Sequence, residues 1–222
     1  MEYKLTIPAK FIAVLKLFAG KEDIRWYLNG IALEIGASES RVLATDGHRL
    51  GMFRIKSDQP YVSPTDPLTD IMIPLELLQH IKSKGDVEIT LGEREVLEPV
   101  PGQQHEPSVR RPVTLTCDGV STSGMTTQAK YIDFRRVIPH KTSGEVAQFN
   151  PLYVGDLHKA AKLLGYKYGG SLSHNGGGGA LIHLDDAFIG VMMPWVANAP
   201  NEAPDWAADG LNRIAQPEAV AA

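Results

Sequence analysis

Residues 5–20 read LTIPAKFIAVLKLFAG, which is a short apolar run, a proline, a helix-length amphipathic segment and a closing glycine. Proline suits the start of a helix, where its missing N–H would have no partner, and glycine suits the position after the last turn. The same succession returns over residues 71–85 and again over residues 148–165. Because internal repetition of this kind reflects the architecture, the chain is predicted to contain three copies of one unit.

Strand-like segments follow each of the three predicted helices. They cover residues 26–35, 41–44 and 51–55 after the first helix, 87–91 and 113–117 after the second, and 180–184 and 188–193 after the third. Their lengths and apolar character favour β-strands, so the unit consists of a strand, a helix and further strands. The predicted fold class is α+β, with this unit repeated three times.

Four stretches differ in composition from the units. Residues 59–70 contain three prolines and are predicted to link the first two units, and the polar residues 93–111 are predicted to form a long hairpin excursion. The glycine-rich residues 169–179 are interpreted as a hairpin loop, because no Lys-Ser/Thr follows to complete a phosphate-binding loop. Residues 196–222 are rich in Ala, Pro and Asn and are predicted to be a mobile tail.

The overall composition is that of a globular protein, with 43% apolar and 22% charged residues among 222. No apolar run approaches the length of a membrane span, and the start MEYKLTIP lacks the features of a signal peptide, so a cytoplasmic protein is expected. Cys117 is the single cysteine and cannot form an intrachain disulfide. His80, His158 and His183 lack the spacing of zinc ligands, so neither a metal nor a cofactor is expected.

Positive charge is concentrated on the three predicted helices, although the whole chain has a net charge of −4. On a helical projection the lysines and His158 lie away from the apolar stripes of the first and third helices, and the lysines of the second lie on or near its polar side. Lysines often do no more than solvate a helix face. Three like-charged faces on three repeats favour instead one shared surface that meets a polyanion. The residues of this predicted surface are Lys10, Lys16, Lys82, Lys84, His158, Lys159 and Lys162.

Asp46 and His48 invite an acid–base interpretation. Asp-Gly is also the signature of a tight turn between two strands, and no nucleophile or second carboxylate accompanies the pair. We therefore favour a turn, predict no catalytic residue and do not expect an enzyme.

Five stretches in a fixed order carry a resemblance to a known family. They are IRWYLNG at residues 24–30, RVLATDGHRL at 41–50, YIDFRRVIP at 131–139, FNPLY at 149–153 and VMMP at 191–194. Together they resemble the bacterial DNA polymerase III β subunit, the sliding clamp. The first three are similar to its middle domain and the last two to the second half of its last domain, and the resemblance covers roughly residues 1–195.

The resemblance implies a DNA-clamp fold. Residues 1–139 would form a whole clamp-like domain of two units, residues 140–195 a half domain of one unit, and residues 196–222 the tail. Family members have three domains of two units each, so the first domain and the first half of the last have no counterpart here. The contacts through which family rings close, between first and last domains, are therefore not expected.

The resemblance also implies a pocket in which clamp partners dock a short apolar peptide. Its walls would combine apolar side chains with a few polar groups that orient the peptide, as peptide pockets require. The implied wall residues are Leu28, Thr45, Gly47, His48, Arg49, Leu50, Ile132, Arg136, Val137, Asn150, Tyr153, Met193 and Pro194.

Two functions remain open at the level of sequence. The chain is either a DNA-encircling processivity factor, or a binding module that captures clamp-binding peptides without a ring and acts as a decoy or adaptor. The expected partners are double-stranded DNA, bound without sequence preference, and the clamp-binding peptides of DNA polymerase, clamp loader or repair proteins. A further expected partner is a second copy of the chain. The third units of two chains are expected to pair about a two-fold axis, and two such dimers would supply a ring-sized tetramer.

Overall fold

The computed structural model describes residues 2–56, 68–69, 71–97, 108–128 and 131–195. The linker predicted over residues 59–70 lies outside these ranges except for residues 68–69, and the tail predicted over residues 196–222 lies wholly outside them. None of the helices in the described part of the chain has the length and apolarity needed to cross a bilayer.

The first unit has the predicted order of one strand, one helix and three further strands. Its elements are β1 (Tyr3–Pro8), α1 (Ala9–Phe18), a 3₁₀ helix (Trp26–Leu28), β2 (Gly30–Ile35), β3 (Glu39–Thr45) and β4 (Arg49–Lys56). β2, β3 and β4 form an antiparallel meander in which Thr45 lies opposite Leu50. Most positions of these strands are buried on both faces, and buried and exposed residues alternate only toward the end of β4.

The second unit contains more strands than its sequence predicts. Its elements are β5 (Ile71–Pro74), a 3₁₀ helix (Leu75–Leu78), β6 (Asp86–Leu91), β7 (Glu95–Leu97), β8 (Ser108–Arg110), β9 (Pro112–Cys117), β10 (Val120–Met125), β11 (Thr127–Gln128) and a 3₁₀ helix (Phe134–Arg136). β7 and β8 pair as the two ends of the predicted hairpin excursion.

The helix predicted over residues 75–85 is wrong, because only one 3₁₀ turn forms there. The Lys16 ammonium group donates hydrogen bonds to the carbonyls of Leu78 and Ile81, at 2.7 and 2.8 Å. A continuing α-helix would use those carbonyls for the N–H groups of residues 82 and 85. The Lys16 side chain therefore occupies the carbonyls that the next helical turn would need. Lys82 and Lys84 lie in the irregular segment before β6 rather than on a helix.

The third unit contains α2 (Pro151–Leu164), β12 (Ser171–Ser173), β13 (Ala180–His183) and β14 (Phe188–Met192). Both ends of α2 follow from the sequence. Asn150 is the N-cap, with its side-chain oxygen accepting from the Leu152 N–H at 3.0 Å, and Gly165 ends the helix at φ +92°, a left-handed conformation that favours glycine. Part of the glycine-rich stretch interpreted as a loop is the strand β12, which pairs with β13.

The strands form two principal sheets. Their orders are β1-β6-β9-β10 and β11-β5-β2-β3-β4-β14-β13-β12. The first strands of units one and two are exchanged, since β1 lies beside β6 of unit two and β5 lies beside β2 of unit one. β14 of unit three pairs with β4 of unit one, so the larger sheet runs through all three units. These pairings confirm the α+β class, whereas the division into residues 1–139 and 140–195 stays a prediction.

The two helices pack against each other on one face of the eight-stranded sheet. The rings of Phe11 and Phe53 stack at 3.9 Å between centroids, and Phe18 and Phe188 contact one another across the join between units. A smaller cluster on the opposite face is formed by Ala32, Leu43, Leu50, Tyr131, Phe134 and Val191. The segment that begins at Tyr131 therefore covers the face of the sheet that the helices leave open.

Candidate peptide-binding site

The seam between β4 and β14 positions the candidate site. Leu50 lies opposite Val191, and Arg49 lies opposite Met192. Beyond the last pair, the N–H of Met193 donates to the carbonyl of His48 at 2.8 Å. The end of β14 is thereby fixed against the turn that joins β3 to β4.

Asp46 organises that turn with its carboxylate. Oδ1 accepts hydrogen bonds from the N–H groups of His48 and Arg49 at 2.9 and 3.0 Å, and Oδ2 accepts from Nε of Arg49 at 3.0 Å. Gly47 has φ +88°, which favours glycine, and a Cβ there would lie 2.6 Å from a guanidinium nitrogen of Arg25. The Asp-Gly pair therefore builds the turn, as the sequence indicated, and its carboxylate is held by the backbone and by Arg49.

A cavity of about 160 Å³ opens between this turn and the segment that follows the second unit. Its lining consists of Thr45, Gly47, His48, Arg49, Leu50, Ile132, Val137, Val191 and Met193. Val137 and Met193 are each 42% exposed, which is unusual for large apolar side chains side by side. Partly exposed apolar groups around a cavity suit the binding of an apolar side chain from another molecule.

The structure brings together eight of the thirteen predicted wall residues. Those in the lining are Thr45, Gly47, His48, Arg49, Leu50, Ile132, Val137 and Met193. Leu28 is buried in the core, Arg136 belongs to the neighbouring 3₁₀ helix, Asn150 caps α2, and Tyr153 and Pro194 are half-buried nearby. Val191 is a lining residue that the sequence reasoning missed, although it lies within the quoted stretch VMMP.

Arg49 contributes to the wall while its charged group is directed into the protein. Its Nη1 donates to Oδ2 of Asp156 at 2.8 Å, and its Nη2 donates to the carbonyl of Leu17 at 2.6 Å. The guanidinium carbon lies 4.2 Å from the centre of the Tyr153 ring. Because these partners surround the guanidinium, Arg49 is better suited to fixing α1, α2 and the turn than to binding a peptide.

His48 and Tyr153 connect the cavity to α2. Their rings are 6.3 Å apart between centroids and inclined by 30°. Burial raises the pKa of the Tyr153 hydroxyl, so it remains a neutral hydrogen-bonding group at physiological pH. A peptide that leaves the cavity along α2 would meet these two rings.

Asp156 is the second carboxylate beside Arg49, in addition to Asp46. Burial alone would raise its pKa, but hydrogen bonds from Lys159 at 2.7 Å and from Arg49 at 2.8 Å outweigh that effect and hold the pKa below its usual range. The carboxylate is therefore ionised at neutral pH and links the two cations.

The residues predicted to face a polyanion divide into two groups. Lys10 and the α2 residues His158, Lys159 and Lys162 lie on the outer faces of the two adjacent helices, and all three on α2 are exposed. Lys16 is bonded to unit two, and burial lowers its pKa. Lys82 and Lys84 are exposed in the turns before β6.

Two larger depressions differ in chemistry from the seam cavity. One of about 660 Å³ is bordered by Arg41, Arg54, Asp185 and Asp186, and one of about 360 Å³ is bordered by Glu34, Asp133 and Arg135. The apolar seam cavity fits an apolar peptide better than either. No group of three or more His, Cys, Asp or Glu side chains within the described ranges is arranged to hold a metal ion.

Comparison with known proteins finds similarity to DNA polymerase III beta subunits over part of the chain. Residues 4–105 match the family model described as DNA polymerase III beta subunit, central domain. A beta sliding clamp of Pseudomonas aeruginosa is 33% identical over 124 residues, which cover 54% of this chain and 28% of that relative. The matched stretch thus spans little more than a quarter of the relative's length.

Solved structures share the fold over a longer stretch. The DNA polymerase III subunit beta of Pseudomonas aeruginosa superposes with a TM-score of 0.61 at 17% identity, covering 88% of this chain and 67% of that chain. The DNA polymerase sliding clamp of Bacillus subtilis superposes with a TM-score of 0.60 at 15% identity, covering 88% and 64%. At these identities the likeness is one of fold.

Proposed function

We propose that this chain, which is similar to bacterial DNA polymerase III β subunits, the sliding clamps, over residues 4–105, docks short apolar peptides of replication or repair proteins at the β4–β14 seam. The proposed role is that of a sliding-clamp-like processivity factor, which binds its partners and performs no chemistry. Its DNA-facing surface would be formed by the outer faces of α1 and α2.

The observation that carries the peptide proposal is the cavity at the seam. Val137 and Met193 flank it while each is 42% exposed, and Leu50 and Val191 form its buried floor. Apolar anchors that enter such a cavity are typical of short-peptide recognition, in which a few buried groups supply most of the affinity. Thr45 and His48 add the polar groups that orient a peptide.

Titration of a fluorescently labelled peptide tests this proposal. The peptide carries a glutamine near its start and Leu and Phe at its end, and we expect micromolar affinity, on the order of −8 kcal/mol. Met193→Lys places a charge at the cavity mouth and is expected to weaken binding by about 1–3 kcal/mol, or roughly 5- to 150-fold in Kd. Leu50 is unsuitable for this test because it is 2% exposed and its replacement would damage the core.

Val120→Lys provides the matched control. Val120 is 54% exposed and lies on β10 in the other sheet, so the same charge is introduced far from the seam. Unchanged binding by Val120→Lys together with weakened binding by Met193→Lys supports the site. Equal affinities of the wild type and Met193→Lys would remove the seam cavity from the proposal.

A second candidate function is a peptide-binding module that does not encircle DNA. The observation in its favour is that two of the predicted DNA-facing lysines have internal partners. Lys16 is bonded to carbonyls of unit two, and Lys159 is paired with Asp156 at 2.7 Å. Under this alternative, peptide binding persists while DNA binding is absent.

A further inference from the structure

Units one and two complete each other by exchanging their first strands. β5 of unit two lies between β11, from its own unit, and β2 of unit one. β1 of unit one lies beside β6 of unit two. The exchange is reciprocal: each unit contributes its first strand, and that strand pairs with the outer strand of the other unit.

Unit three repeats half of this arrangement. The N–H of Trp195 donates to the carbonyl of Gln148 at 2.8 Å, so the chain after β14 returns beside the segment before α2, as β11 returns beside β5. The other side of that segment, where unit two has β2, carries no strand among the described residues; the Ala147 N–H there donates to Nδ1 of His174 at 3.1 Å, a side-chain bond that an added strand would replace. Gln148 is exposed, and Val146 is 82% exposed.

β12 has the matching open edge. In unit one the strand order is β2-β3-β4, and the outer strand β2 receives β5. In unit three the order is β12-β13-β14, and β12 ends the sheet within the described part of the chain. An open edge presents unpaired backbone N–H and C=O groups that can pair with a strand from another molecule.

The helix of unit three is also uncovered on the corresponding side. Aligned on the residue before each helix, Pro8 and Asn150, Ile12 of α1 corresponds to Val154 of α2, and Lys16 corresponds to His158. Ile12 is 0% exposed, whereas Val154 is 42% exposed.

The partners of these residues explain the difference in exposure. Lys16, one turn beyond Ile12, bonds to unit two, whereas no hydrogen bond or ion pair joins His158 to any other described residue. Within the described ranges, the face of α2 that corresponds to the unit-two side of α1 therefore has no partner.

We propose that two copies of this chain pair through their third units, each adding its segment 147–149 to the β12 edge of the other and covering the Val154 side of α2. A second copy is the occupant that fits, because each copy offers both a strand to donate and an edge to receive one. Reciprocity of this kind is what a two-fold axis requires. The proposal is independent of peptide docking, since Val154 lies outside the lining of the seam cavity.

Light scattering on the full chain tests the pairing. The expected molar mass is twice the 24.2 kDa of one chain. Val154→Lys is expected to weaken the dimer at least about tenfold, because the two-fold axis places a charge on both sides of the contact. The single chain tolerates this change, since Val154 is already partly exposed and lysine is the better helix former.

Val120→Lys is again the matched control, because Val120 is exposed on β10, a terminal strand of the other sheet. A dimer that persists in Val120→Lys and dissociates in Val154→Lys supports the proposal. The proposal is overturned if the wild type has the mass of one chain up to about 100 μM, because a dimer with a Kd below that concentration would be populated. It is also overturned if Val154→Lys leaves the dimer unchanged, or if both variants weaken it equally.

Discussion

Arg49 connects parts of the chain that are distant in sequence. Its side chain is 7% exposed and forms ion pairs with Asp46 at 3.0 Å and with Asp156 at 2.8 Å. A third hydrogen bond reaches the carbonyl of Leu17 at the end of α1. The planar guanidinium can donate hydrogen bonds to all three acceptors at once. A lysine ammonium group, on a flexible stem, cannot reproduce this arrangement of donors. The start of β4 and both helices are therefore held by a single side chain.

We expect Arg49→Lys to lower the free energy of unfolding by about 1–3 kcal/mol, because buried acceptors lose charged hydrogen bonds. Urea denaturation followed by circular dichroism measures the change. Arg25→Lys is the matched control, since Arg25 is 44% exposed and pairs with Asp23 at the surface, where solvent screening makes a smaller loss expected. Equal losses in the two variants would contradict the role assigned to Arg49.

Asp156 gives the stability of the protein a dependence on pH. Its pKa is held below the usual range, so its contribution is fully present above the unfolded-state pKa of about 3.9 and is lost as the pH falls through the folded-state pKa. Asp156→Asn is therefore expected to destabilise the protein at pH 7 and to have a smaller effect near pH 2. Urea denaturation at pH 7 and near pH 2 measures the loss of free energy of unfolding. Asp186→Asn, which changes an exposed carboxylate, is the control.

At the scale of elements, the two regions predicted as helices after residue 70 differ in what ends them. The ends of α2 are coded locally by Asn150 and Gly165, so its sequence was sufficient to predict it. The segment over residues 75–85 has a similar local pattern, but Lys16 from α1 takes the carbonyls that its next turn would use. A pattern confined to one segment contains no information about a donor that arrives from another.

The missed strand β10 shows a second limit of the sequence pattern. It reads VSTSGM and lacks the apolar character from which the other strands were predicted. Hydroxyl pairs with β9 hold it instead, between Thr114 and Ser123 and between Thr116 and Ser121, each at 2.9 Å. Cross-strand pairs of this kind depend on register, which the sequence does not display.

The candidate site was predicted well where its residues share one turn. Thr45 to Leu50 are contiguous, and all but Asp46 lie in the cavity lining. Asn150 and Tyr153 were included by resemblance, and the structure gives Asn150 a local role as a helix cap and Tyr153 a contact with Arg49. Their contribution to peptide binding stays a prediction.

Substitutions of Asn150 can separate its role as the cap of α2 from a role in peptide binding. Asn150→Ala removes the cap of α2 and is expected to cost about 1 kcal/mol of stability, whereas Asn150→Ser keeps a capping oxygen and is expected to restore most of it. Thermal denaturation and peptide titration are measured on both variants. If Asn150 only caps α2, peptide affinity stays unchanged in Asn150→Ser. A large loss of affinity in that stable variant would assign it to the peptide site instead.

At the scale of the whole molecule, the charges lie on opposite faces of the larger sheet. The outer faces of α1 and α2 carry Lys10, Lys159 and Lys162 on one side. Arg54 and Lys56 project from β4 on the other, because they alternate with the buried Phe53 and Ile55. A polyanion that approaches the helices therefore meets a different set of cations from one that approaches the reverse face.

We expect Lys159→Glu combined with Lys162→Glu to weaken binding to duplex DNA and to reduce the slope of log K against log salt by about 2, because two phosphate contacts are lost. Fluorescence anisotropy at several salt concentrations measures the slope. Arg54→Glu combined with Lys56→Glu makes the same charge change on the opposite face. This control is expected to leave the slope of log K against log salt unaltered. If the helix variant binds DNA with the wild-type slope, α2 does not face DNA.

The pairing of β4 with β14 also has a consequence for how the nascent chain leaves the ribosome. β4 is complete at residue 56, but the strand that covers its free side ends only at residue 192. At a synthesis rate of 5–20 residues per second, that side stays open for roughly 7 to 27 seconds. The charges of Arg54 and Lys56 lie on β4, and charged side chains hinder the pairing of exposed strands from different molecules. These two residues are therefore placed where they can keep neighbouring nascent chains apart until the third unit has been translated.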